Sequence, residues 1–271
     1  TDRRAQAERL YDWVSRHIRY VGVEIGDGAY VPRDAETVLA SGYGDCKDHV
    51  ALLAALLKAK GMQSEFVLIN AGASYSLGGP PTFIALNHAI TWLPAFKMYV
   101  DTTAGVAPFG VLPFGEYGKP VVHASSTAPA LHRTPILPTG AASIAIRTTA
   151  RLDASGGIAG DSETTATGPF AVGIRQLAVV IERAGAEQAA VYQLRSTGNE
   201  GTGKFQFDQP FDQALTYHLG GHFQLTPRSD YLTGNSFGPP MGLAVGWRPG
   251  DELLGPLDLL DVRGNEPTPC Y

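Results

Sequence analysis

Hydrophobic positions along the chain change their period several times, and each change marks an element. Across residues 2–19, Leu10, Trp13, Val14 and Ile18 recur at helical spacing, which leaves Arg3, Arg4, Glu8 and Arg16 for solvent. Tyr20–Ile25 alternates like a short strand, and Asp34–Ala40 allows one or two helical turns. The clearest helix runs from Cys46 to Lys60. Asp45 is placed as its N-cap and Gly61 as the residue that ends it. Positions 46, 50, 53, 54 and 57 share one face of this helix and are Cys, Val, Leu, Ala and Leu, so Cys46 opens the helix on its core side. Phe66–Ile69 reads as a buried strand, and residues 71–83 are rich in Gly, Ser and Pro. Ala85–Leu93 and Lys97–Asp101 read as a hairpin around Pro94-Ala95.

The second half has a different rhythm. Ala142–Leu152 and Ile158–Thr167 flank the turn signal Asp153-Ala-Ser-Gly-Gly157. Pro169–Ala184 and Glu187–Ser196 are helical in pattern, and Lys204–Phe207 and Leu215–Leu225 are strand-like. Together the patterns predict an α+β chain with a domain over 1–120, a linker over 121–140 and a strand-rich α+β domain over 141–271. At about 150 residues per domain, 271 residues agree with two domains.

Composition narrows the function. The net charge is −5, which argues against a nucleic-acid surface. Residues 1–140 hold 12 basic and 12 acidic side chains, whereas 141–271 hold 9 and 14, so the acidity belongs to the second region. A protein partner is expected there. No run of 18 apolar residues occurs, so no membrane span is expected. No signal peptide opens the chain, and Thr1 in place of Met reads as a processed or truncated start. Two cysteines, Cys46 and Cys270, make no disulfide framework. A Cys46–Cys270 bridge would silence the Cys46 thiol, but Cys270 sits at a Pro-rich chain end.

Candidate chemistry centres on Cys46. A thiol at a helix N-terminus meets the positive end of the helix dipole, which favours thiolate. His88 lies on the first strand of the predicted hairpin. If the hairpin turns between Pro94 and Ala95, residue 91 faces 98 and His88 faces Asp101, close enough for a carboxylate to hold the imidazole. A nucleophile, a base and an orienting acid then stand in the order Cys46, His88, Asp101. Asp45 is read first as a cap and second as part of the cleft. Asn87 either orients His88 or ends a turn. Tyr20 and Trp13 are candidates for a second oxyanion contact beside the Cys46 N–H, and Tyr20 is the better placed. Lys47 and Asp48 are expected on the solvent side of the first turn, with the cleft as the alternative place for either. Cys46-x-x-His49 is half of a zinc pattern with no second half, and His218 and His222 are read as structural, so no metal is expected. Gly157 and Gly201–Gly203 lack the context of a phosphate loop, so no cofactor is expected.

These residues carry a family resemblance. Tyr20-Val21-Gly22-Val23-Glu24, Pro32-Arg33, and Tyr43-Gly44-Asp45-Cys46-Lys47-Asp48 leading an Ala/Leu-rich helix come first. Asn87-His88, Val100-Asp101-Thr102-Thr103 and Pro108-Phe109-Gly110-Val111-Leu112-Pro113 follow. In order and spacing they resemble the bacterial transglutaminase-like superfamily over residues ~5–120. The resemblance implies a papain-like α+β core, with the Cys helix packed on an antiparallel sheet, and Cys46, His88 and Asp101 as a catalytic triad. Residues 141–271 resemble the segment that follows this core in one bacterial subgroup. Its members commonly carry a β-rich domain before the core and a signal peptide, so the resemblance also implies a periplasmic or secreted setting. Expected activities are hydrolysis of a peptide or carboxamide, or transfer of its acyl group to an amine. The rival from another class is a non-catalytic binding module of the same shape.

Overall fold

A computed structural model describes residues 2–22, 26–72, 75, 77, 85–124, 130–227 and 240–246. The chain divides into two compact units, Thr1–Pro138 and Thr139–Gly264.

In the first unit, helix α1 (Arg3–His17) starts at Asp2, whose carboxylate accepts from the Arg4 N–H at 2.9 Å. A two-residue strand β1 (Arg19–Tyr20) follows. Helix α2 (Ala35–Ser41) is capped by Asp34 and stopped by Gly42 at φ 69. Strand β2 (Tyr43–Gly44) pairs in parallel with β1 and sets Tyr20 opposite Gly44. Helix α3 (Cys46–Ala59) begins one residue later. Asp45 and Asp48 form a reciprocal capping box at its start, and Gly61 at φ +67 follows its end. Strands β3 (Glu65–Ile69), β4 (His88–Leu93), β5 (Met98–Val100), β6 (Pro120–His123) and β7 (Ala130–Arg133) form an antiparallel sheet ordered β5-β4-β3-β6-β7.

The run Phe66–Ile69 is apolar throughout because both faces of β3 are covered. Phe66 and Leu68 pack with Cys46, Val50 and Ala89. Val67 and Ile69 join Ile90, Tyr99, Leu112 and Val121 in a separate cluster. A third cluster unites Tyr11 and Val14 of α1, Leu53 and Leu57 of α3, and Leu93 and Val100 of the sheet. Each such leucine, fully buried, contributes about 1.5–3 kcal/mol. This cluster fixes α3 on the sheet, and with it the position of Cys46.

Two expectations need correction. Residues 121–140 are not only a linker, because β6 and β7 lie in that stretch and complete the first sheet. The β4–β5 register also differs. Thr91 stands opposite Val100 and Leu93 opposite Met98. The turn is longer than expected: a 3-10 turn at Pro94–Phe96 is followed by Lys97 in the left-handed region at φ 51. The slip of two positions preserves which face each side chain takes. His88 and Asp101 are therefore diagonal neighbours and not directly opposed.

The second unit is a four-stranded antiparallel sheet with two helices. Strands β8 (Ile144–Leu152) and β9 (Ile158–Thr167) are joined by the Asp153–Gly157 turn. Helices α4 (Pro169–Ala184) and α5 (Ala186–Ser196) follow, then β10 (Gly201–Phe207) and β11 (Thr216–Leu225), in sheet order β10-β11-β9-β8. Ile174, Ala178, Ile181, Leu194, Phe205, Tyr217 and Leu219 form the core. Arg175 is fully buried, and its guanidinium bonds Pro210 O, Asp212 O, Asp212 Oδ1 and Ala214 O at 2.7–3.0 Å. This is the expected α+β architecture, a helix-bearing core sheet followed by a strand-rich second part.

Candidate active site

The first turn of α3 presents Cys46, Lys47, Asp48 and His49, all buried. Gly44 makes this turn possible, because a Cβ there would lie 2.6 Å from Asp48 Cβ. Lys47 and Asp48, expected toward solvent, are 7% and 1% exposed. Each is neutralised locally. Lys47 Nζ bonds Asp45 Oδ2, and Arg33 donates from both its backbone N and Nε to Asp48, each at 2.8 Å. Asp45 itself is fully buried. Burial raises its carboxyl above the usual range, against the pull of the Lys47 hydrogen bond. It caps the helix and holds Lys47, so it does not line a cleft.

Cys46 is a buried thiol packed against Val50 and Ala89, with Tyr20, Phe66 and Leu68 around it. Ala89 adjoins His88, the first residue of β4. His88 Nε2 lies 3.1 Å from Asp101 Oδ2. Asp101 is 2% exposed, and its oxygens also accept from the Thr103 N–H at 2.8 Å and the Thr103 hydroxyl at 2.7 and 3.0 Å. Burial alone would raise the Asp101 carboxyl. The His88 charge and hydrogen bond, with the Thr103 donors, outweigh burial and hold it at about 2. The carboxylate is therefore ionised and aimed at the imidazole. Tyr11 seals the pair from behind, its hydroxyl donating to Asp101 O at 3.1 Å and Ala107 O at 2.9 Å.

His49 stands one turn along α3 from Cys46, with the Tyr20 ring 6.2 Å away. Burial pushes its imidazole down to about 4, against the opposing pull of Asp101 and Asp48, so it is neutral at pH 7. Tyr20 thus borders the Cys46 cluster. Trp13 does not, since it stacks on His17 at 4.7 Å and is 36% exposed. Asn87 serves neighbouring backbone instead of the imidazole: its Oδ1 accepts from the Ala71 N–H at 3.0 Å. The segment 71–84, between the Cys46 helix and the His88 strand, lies mostly outside the described residues, as does Cys270.

Sequence reasoning missed Glu116. It is 2% exposed, and its Oε1 lies 3.8 Å from His88 Nε2. The available signal was a lone acid among Val111, Leu112, Phe114 and Tyr117. Among the described residues, His88, Asp101 and Glu116 are the group whose ligand-type atoms all lie within 4.8 Å of one another. In this arrangement His88 Nε2 and both Asp101 oxygens are engaged in hydrogen bonds with one another and with Thr103.

The comparison with known families meets this geometry at the helix, the cysteine and the histidine. The model of the transglutaminase-like superfamily matches residues 1–91. This stretch is transglutaminase-like. The match includes Cys46 and His88 and stops short of Asp101 and Glu116, which the hairpin and the loop beyond it bring to the same place. The likeness of this stretch to the transglutaminase-like superfamily points to acyl-transfer or peptidase-type chemistry. No curated protein and no solved structure matches the chain. Among the described residues no helix is long and apolar enough to cross a membrane.

Proposed function

We propose that the first unit is a thiol acyl-transfer enzyme that acts on a peptide or carboxamide bond, with hydrolysis as the main outcome. The observation that carries this reading is the part-buried pair of His88 with the buried Asp101, where Ala89, next to His88, packs with Cys46. In the reaction, Cys46 Sγ gives its proton to His88 and attacks the carbonyl carbon, forming a tetrahedral oxyanion. The Cys46 N–H, at the first helical position, has no acceptor inside the helix and binds that oxyanion. Tyr20, at the rim of the Cys46 cluster, is the second contact in this reading. Collapse breaks the C–N bond, His88 returns the proton to the leaving amine, and a thioester remains on Cys46. Water attacks the thioester with His88 as base, which releases the acid and restores the thiol. An amine in place of water gives transamidation by the same groups.

Asp101 supports both directions of proton movement. It fixes the tautomer of His88 and stabilises the imidazolium, without taking the proton itself. The substrate is a peptide or protein, and the acidic second unit is a surface for a protein partner. The likeness to bacterial proteins of this superfamily supports a periplasmic or secreted setting.

The test is turnover of a peptide library with and without added primary amines, for wild type and Cys46→Ala. Hydrolysis that disappears in the variant is expected. Turnover that survives Cys46→Ala overturns the reading.

A further inference from the structure

Glu116 is placed with unusual care for a residue in a Gly/Pro-rich loop. Its N–H donates to Pro113 O at 3.1 Å, and its carbonyl accepts from the Thr134 hydroxyl at 2.6 Å. Thr134 is tied in turn to Lys119 through two backbone-donor bonds of 2.8 and 2.9 Å. On the other flank, Gly115 packs against the end of β3, where a Cβ would sit 2.4 Å from Ala71 O. Ala71 is the residue held by Asn87. So Asn87, next to His88 in sequence, fixes the backbone on which the Glu116 loop rests. All of this delivers one carboxyl to the Nε2 side of His88.

The groups that face this carboxyl are Asp101 at the end of β5, His88 on β4, Tyr11 from α1 and the neighbouring Tyr117. His49 from α3 also faces Asp101. Two basic side chains at the start of α3 are committed elsewhere, Lys47 to Asp45 and Arg33 to Asp48. Two buried carboxyls therefore share one imidazole, and like charges in such a site force one of them to keep its proton. Asp101 accepts from three donors, His88 Nε2 and the Thr103 N–H and hydroxyl, whereas Glu116 Oε2 is buried with no partner. The proton belongs on Glu116.

We propose that Glu116 is a positioning residue of the His88–Asp101 pair, held as an uncharged carboxylic acid so that a single carboxylate faces the imidazole. Burial and the Asp101 charge hold the Glu116 carboxyl well above the usual range, although His88 pulls the other way. A second carboxylate would over-stabilise the imidazolium, and His88 would then be slow to return its proton to a leaving amine. An uncharged acid supports Asp101 without that penalty. The inference rests on the reading of His88 as the base for Cys46.

The test uses the full chain and two readouts that do not involve Cys46. The first is the infrared band of a protonated carboxyl at pH 7, expected in wild type and lost in Glu116→Gln. The second is the titration midpoint of His88 followed by NMR of 15N-histidine protein. Glu116→Gln, isosteric and uncharged, should leave that midpoint within about 0.3 pH unit of wild type, whereas Glu116→Ala, which removes the hydrogen bond that an uncharged Glu116 gives to the Asp101 carboxylate and so leaves more of that charge to the imidazole, should raise it by about 0.5 unit or more. Absence of the band, a drop in the midpoint in Glu116→Gln, or a folded Glu116→Ala with an unmoved midpoint would each overturn the proposal. If Glu116→Ala does not fold, the band and the glutamine variant still decide. Failure of the acyl-transfer reading would show as an inert Cys46 thiol and would leave both readouts intact.

Discussion

Replacing Asp101 with Asn removes one charge and keeps the shape. The structure gives a scale for the result. Burial works against the Asp101 charge, yet the carboxyl falls from 3.8 to about 2 on folding, which is on the order of 2 kcal/mol. The His88 charge and hydrogen bond are the largest of the favourable causes and Thr103 supplies the rest, so Asp101 and the imidazole are strongly coupled. By reciprocity, Asp101→Asn should lower the titration midpoint of His88 by about one pH unit. It should also reduce kcat/KM on any peptide substrate by about 100-fold, because the amide no longer stabilises the imidazolium and can hold the wrong tautomer. The pH sign follows from a depressed folded pKa. The Asp101 contribution to stability is complete above about pH 4 and is lost as the pH falls toward 2. Urea unfolding of wild type and variant should thus differ at pH 7 and converge near pH 2. NMR of 15N-histidine protein gives the midpoint, with His88→Gln to assign the signal. A His88 midpoint that moves by less than about 0.3 unit would refute the coupling on which the reasoning stands.

Other substitutions probe the supports of the site. Arg33→Ala removes the guanidinium that faces the buried Asp48 carboxylate, and with it the Nε donor, while the backbone N–H remains, so urea unfolding should show a loss of about 3 kcal/mol; a loss below about 1 would mean that Asp48 is not held as described. In the second unit, Arg175→Met should cost a similar ~3 kcal/mol and speed amide hydrogen exchange across 209–214, since four bonds to that loop vanish; unchanged exchange would contradict the assignment. Dialysis against EDTA should leave peptide turnover unchanged, because His88 and Asp101 bond each other; activity lost to the chelator and regained with zinc would make their cluster an ion site.

Much of this architecture was legible because it rests on local rules. Asp45 and Gly61 punctuate α3, and the 3.6-residue period turns Cys46 inward. The Asp153–Gly157 turn and its two strands follow from alternation and turn chemistry. What escaped depends on distant partners. β6 and β7 are four residues each, too short to display a period, and the strands exist because β3 offers an edge. Lys47 and Asp48 look like solvent residues until Asp45 and Arg33 neutralise them in place. The hairpin register failed by two because Lys97 takes a left-handed conformation that lengthens the turn. The His88–Asp101 contact survived that error, since a shift of two leaves each side chain on its original face. Glu116 was invisible because no local pattern marks a carboxyl that a loop brings to a strand more than twenty residues away in sequence.

The central claim is that Cys46 is a nucleophile activated by His88. Its most direct test is the rate of Cys46 alkylation by iodoacetamide as a function of pH, read by intact mass on the full chain with Cys270→Ser, and with Cys46→Ala as the blank. A thiolate–imidazolium pair predicts a rate plateau that extends down to about pH 5. A rate that rises only around pH 8.5, as for an ordinary thiol, would contradict the claim and leave the unit a binding module.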